Sequence, residues 1–141
     1  GPGVQGGRMS VMEPDLEPNL DEFLLARIAE DKRIAVDAAQ ASGREDWQVD
    51  DLRAALPQHL VAEHAARFDP ARILAECSAK RATVLACRAL GPDLHFLGSR
   101  PHGMPDFPIA PHDQHQLAAL TLALLAKPYA DHHDYRPEWR P

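Results

Sequence analysis

The sequence predicts an all-α fold, a single-domain bundle of about four helices with a long proline-rich loop and an ordered C-terminal tail. Three observations point there. Hydrophobic residues make up 45% of the 141 residues, and much of that share is alanine and leucine. Few residues are aromatic or β-branched, which favours close helix packing over a β-sandwich. Apolar residues also recur at helical spacing in segments separated by proline and glycine. This length supports one hydrophobic core rather than two.

Residues 1–18 are rich in glycine, proline and acids and read as a disordered leader. Gly1-Pro2-Gly3 reads as the scar of a removed tag, which places the native start at Met9 or Met12. Residues 19–141 then form the single helical domain. Asn19 and Glu22 make a capping box, and Leu20, Phe23, Leu24, Ile28 and Ala35 follow on one side of a helix over 20–40 that Ser42-Gly43 ends. Trp47-Gln48-Val49 is at best briefly extended, with Trp47 filling a gap between helices. Asp51 caps a short turn through Leu56, which Pro57 stops.

A second helix spans Gln58 to Arg67, with Leu60, Val61, His64 and Phe68 on one stripe. Asp69-Pro70 is a cap followed by a first-turn proline. It opens a third helix over 70–89 with Ile73, Leu74, Cys77, Val84 and Leu85 inward and Glu76 paired with Lys80. Residues 91–111 hold five prolines and three glycines. They read as a long surface loop with a brief strand at Leu94-His95-Phe96-Leu97. The fourth helix, Asp113 to Lys127, has almost no polar face and reads as central and buried.

Charge and cysteine usage narrow the function classes. The net charge is −6, with 12 acids and 6 bases in residues 1–60 and 3 acids and 5 bases in residues 61–90. The acidic and basic segments are expected to face each other. Overall acidity disfavours nucleic acid as a partner, because phosphate binding needs clustered cations. Cys77 and Cys87 fall on one helix roughly 15 Å apart, beyond disulfide reach, and read as reduced core residues of a cytoplasmic protein. No segment approaches the length of a membrane span, and no signal peptide is recognisable.

Two blocks resemble a family of actinobacteria and their phages catalogued as a domain of unknown function. One joins Phe23-Leu-Leu-Ala-Arg-Ile-Ala-Glu-Asp31 with the stretch from His64 to Arg81. The other is the ending from Leu124 to Pro141, whose pattern is Pro-Tyr-Ala-Asp-His-x-Asp-Tyr-Arg-x-Glu-Trp-Arg-Pro. The resemblance implies a small helical intracellular protein without an assigned activity, and it carries over no functional residues. Members often have cysteines before the last helix, whereas residues 91–123 here contain none.

The densest polar and aromatic cluster is the tail Tyr129 to Trp139. Asp131, His132, His133 and Asp134 are metal-ligand types, but in an extended chain neighbours point opposite ways. The simpler reading is an aromatic latch in which Tyr129, Tyr135 and Trp139 pin the tail to the helices. The favoured function is a non-enzymatic protein-interaction or regulatory role, with another protein as partner, no cofactor and no metal. Its contact residues would be Arg100, His102, Tyr129, Asp131, Arg136 and Trp139, on the loop and tail. Two other classes compete: a metal-dependent hydrolase or nuclease using His112, His115, Asp131 and His132 or His133, and a small DNA-binding regulator using the basic 61–90 helices. No phosphate-binding glycine loop, nucleophile elbow, His-Glu-x-x-His or Cys-x-x-Cys occurs in the sequence.

Overall fold

The computed structural model describes residues 18–99 and 113–141. Every regular element among them is helical. They are α1 (Leu20–Ser42), α2 (Val49–Leu52), α3 (His59–Arg67), α4 (Pro70–Ala89), α5 (Leu94–Gly98) and α6 (Gln114–Ala126), followed by 3₁₀ turns at Lys127–Tyr129 and Pro137–Trp139. No helix among the described residues is long and apolar enough to cross a membrane. The described residues divide into two compact units, one of residues 18–24, 87–99 and 113–141, and one of residues 25–86.

In the first unit, short segments build a dense core. The Asn19 N–H donates to Glu22 Oε1 at 3.1 Å, the capping-box bond that starts α1. Leu20, Phe23 and Leu24 are buried in its first turns. Asp21 accepts from Arg88 Nε at 2.7 Å, which realises one pairing of the acidic and basic segments. Asp113 caps α6 by accepting from the Gln116 N–H at 2.9 Å. Ala118, Ala119, Leu122, Ala123 and Ala126 are buried, yet Leu117 and Leu124 remain exposed, so α6 is not covered on every side.

The segment Leu94-His95-Phe96-Leu97 is the start of α5 rather than a strand. The Asp93 carboxylate accepts from the Phe96 N–H and caps that turn, and Phe96 and Leu97 reach the core from it. His115 then clasps the end of α4. Its Nδ1 donates to the Leu90 and Gly91 carbonyls at 2.8 and 2.9 Å, and its own carbonyl accepts from the Asp93 N–H. Gly91 takes φ +70°, the left-handed geometry suited to a glycine just beyond a helix.

In the second unit, the remaining lengths of α1 and α4 lie side by side with α2 and α3 at one end. Asp69 organises that end. Its Oδ1 caps α4 through the Arg72 N–H at 2.9 Å, and its Oδ2 accepts from the Trp47 N–H at 3.1 Å. The Trp47 indole donates to Ser42 Oγ, so the half-buried ring does fill space where the loop leaves α1. The short helix α2 starts at Val49, a turn earlier than a cap at Asp51 would place it. Glu76 pairs backwards with Arg72 at 2.9 Å rather than forwards with Lys80.

The apolar stripe of α3 departs furthest from expectation. Only Ala62 of this helix is buried. Leu60 is 78% exposed and Phe68, just beyond the helix, 42% exposed, with Val61 also open. Helical spacing groups these residues on one face, but no element among the described residues covers that face. Cys77 and Cys87 are both free thiols and both buried, as expected. Burial pushes each thiol up from its ordinary value.

Candidate interaction surfaces

The C-terminal tail packs as a latch on Phe23, entirely within the first unit. Successive i→i+3 backbone hydrogen bonds, such as His132 N–H to the Tyr129 carbonyl and Tyr135 N–H to the His132 carbonyl, curl it into a chain of tight turns. Ring centroids of Trp139, His132, Tyr135 and Tyr129 lie 5.2, 5.6, 5.9 and 6.5 Å from that of Phe23. Most of these meetings are edge-on, the arrangement that ring quadrupoles favour. Trp139 is only 2% exposed. The Arg136 guanidinium lies over its ring at 5.2 Å. The Tyr135 hydroxyl is buried with no hydrogen-bond partner among the described residues, and burial raises its pKa.

The turns also change the expected geometry of the tail's metal-ligand types. Because the chain is not extended, donor atoms of His132, His133 and Asp134 lie within 4.8 Å of one another. Asp131 is not in that group. His132 Nδ1 accepts from the Asp134 N–H at 3.0 Å, and its ring stacks on His133 at 4.3 Å. These contacts give His132 a packing role in the latch.

The second unit presents open apolar surface along the seam between α1 and α4. One flank is a groove of about 360 Å³ lined by Ile34, Ala38, Trp47, Phe68, Ile73 and neighbours. The other flank holds a groove of about 820 Å³. Its walls are Leu25, Ile28, Ala29, Lys32 and Val36 of α1 and Leu74, Cys77, Ser78, Arg81, Ala82 and Leu85 of α4. On both helices the wall residues follow helical spacing through three turns.

A family model described as "Family of unknown function (DUF6221)" matches residues 17–141. The chain belongs to DUF6221. No curated protein and no solved structure matches it. The DUF6221 match spans both the latch and the α1/α4 grooves, and assigns a role to neither.

Of the contact residues named from sequence, Arg100 and His102 lie outside the described residues, as does His112. Trp139 is interior, while Tyr129 and Arg136 are half-buried against the same cluster, which leaves Asp131 as the exposed member. His115, named as a ligand, is engaged at the end of α4. Sequence reasoning missed the groove residues Leu25, Lys32 and Ser78 of this DUF6221 chain, and met Arg81 only as part of the basic 61–90 helices. Their signal is the i, i+3, i+4, i+7 pattern, which marks a face without saying whether anything covers it.

Proposed function

We propose that this DUF6221 chain is a non-enzymatic protein-binding module, working in the cytoplasm, whose contact surface is the groove between α1 and α4 in the second unit. The observation that carries this reading is the groove's floor. Leu25, Ile28, Val36, Leu74 and Leu85 form an apolar trough three turns long between α1 and α4. A contiguous apolar face of this kind on a polar surface is a mark of protein association. The tail is a weaker candidate, because its aromatic anchors are already engaged with Phe23.

Site-specific photo-crosslinking tests the reading. A crosslinking residue at Ser78 in the groove is expected to capture a host protein, and one at Asp131 in the tail is not. Filling the groove with Ala29→Trp, a change at an exposed helix position, is expected to abolish the Ser78 product while helix content stays constant. Absence of any product from Ser78, or capture from Asp131 instead, overturns it.

A further inference from the structure

Resting on that reading, we infer that the groove's occupant is an acidic amphipathic helix, about three turns long, on a partner protein. Three features of the groove select it. The first is length. The walls run from Leu25 to Val36 and from Leu74 to Leu85. Each is about 16 Å of helix, which matches a ligand of about three turns. The second is shape. Two antiparallel helices with small residues between the apolar ones, Ala29 on one wall and Ser78 and Ala82 on the other, leave a trough into which a third helix can set its ridge.

The third feature is charge. Among the described residues, the only ionisable groups lining the groove besides the Cys77 thiol are Lys32 on the α1 wall and Arg81 on the α4 wall. Both side chains are exposed. Neither has a carboxylate partner among the described residues. Among the other basic residues nearby, Arg72 pairs with Glu76, Arg88 with Asp21 and Arg33 with Asp37, while Lys80, also without a carboxylate partner among the described residues, lines the groove on the opposite flank. Among the described residues, an acidic protein thus places two cations without carboxylate partners on opposite banks of one apolar trough. A helix whose apolar stripe fills the trough would set the residues beside that stripe against Lys32 on one side and Arg81 on the other. Carboxylates in those places complement both, and lysines there are repelled by both.

Fluorescence anisotropy with a synthetic helix tests this chemistry directly. The probe is a labelled peptide of about 15 residues with leucines at i, i+3, i+4 and i+7 and glutamates flanking them. A second peptide carries lysines in place of the glutamates. The glutamate peptide is expected to bind saturably, and the Lys32→Glu/Arg81→Glu double variant to weaken it by about tenfold or more. The lysine peptide is expected to show the reverse preference, binding the double variant better than the natural chain. Ala29→Trp should abolish binding of either peptide.

Equal binding of the two peptides, or no saturable binding of the glutamate peptide, overturns the inference. So does a chain that sediments as a dimer broken by Ala29→Trp, which assigns the groove to a second copy. Duplex DNA retained through Lys32 and Arg81 overturns it in favour of a phosphate ligand. The two readings fail separately. If Ser78 still captures a protein while the glutamate peptide does not bind, the partner's chemistry is wrong and the protein-binding surface stands. If Ser78 captures nothing, the surface itself is misassigned.

Discussion

The two units of this chain solve the problem of burying apolar surface in opposite ways. The first assembles short pieces around large rings. Trp139, Phe23, Leu20, Leu24 and Leu122 all lie there and are fully buried. The second is built mostly from two long helices, yet Val84 is its only member among the largest fully buried side chains. It leaves Ile34, Leu60, Val61 and Phe68 exposed. Long regular helices therefore do not guarantee a well-filled core, and irregular turns do not preclude one. The first unit also leaves Leu90, Leu117 and Leu124 exposed, so the contrast lies in how each core is filled, by large rings in the first and by few large side chains in the second.

The largest effect that would break this contrast belongs to the latch. Trp139→Ala should destabilise the chain by about 3–5 kcal/mol, the usual loss for deleting a buried aromatic side chain. Thermal denaturation measures it. A melting temperature close to that of the natural chain would mean that the rings around Phe23 contribute little.

A smaller effect is expected at Asp69, which joins two parts of the second unit through one carboxylate. Asp69→Ala removes the α4 cap and the Trp47 N–H acceptor together, and should cost about 1–2 kcal/mol. Asp69→Asn, which keeps an oxygen for the cap, should recover part of that loss in the same urea titration. Equal losses for the two variants would remove the capping explanation.

Tyr135→Phe sharpens the comparison from within the dense unit. The hydroxyl is buried without a partner among the described residues, so its removal should leave stability unchanged or raise it by about 1 kcal/mol. A loss of stability would show that the hydroxyl has found an acceptor in solution. The smallest effect is predicted for the open face. Leu60→Lys should change stability by no more than about 0.5 kcal/mol, because so exposed a side chain has little packing to lose. A clear loss of stability there would mean that the α3 stripe is covered in solution.

How much of this was legible in the sequence follows from the kind of signal each residue carries. Caps were legible because they act locally. Asn19 with Glu22, Asp69 with Pro70, and Asp113 each mark a helix start by satisfying backbone N–H groups within a turn. The aromatic tail was legible for a different reason, since Tyr and Trp seldom cluster without burying their rings. The Leu94–Leu97 segment was misread because four residues cannot separate a strand from a helical turn, and the Asp93 cap that decides it lies outside the run.

Coverage was not legible at all. Leu60 and Leu74 look alike as members of apolar stripes, and Lys32 and Arg81 look like ordinary surface charges. Only the placement of neighbouring helices shows that one stripe faces solvent and that the two cations line the same groove. The tail's contact role was likewise assigned on residue type, whereas its tryptophan turned out to be committed inward.

The two tryptophans carry a practical consequence. Trp47 is half-buried in the second unit and Trp139 fully buried in the first, so each unit owns one tryptophan, which can be excited selectively over Tyr129 and Tyr135. Replacing Trp47 with Phe leaves an emitter that reports only on the ring cluster, and Trp139→Phe leaves one that reports only on the helix pair. Denaturation followed at each emission in turn then yields two midpoints from one polypeptide. Coincident midpoints would mean that the whole chain melts in a single cooperative step. Separated midpoints would rank the two halves by stability and identify which one opens first.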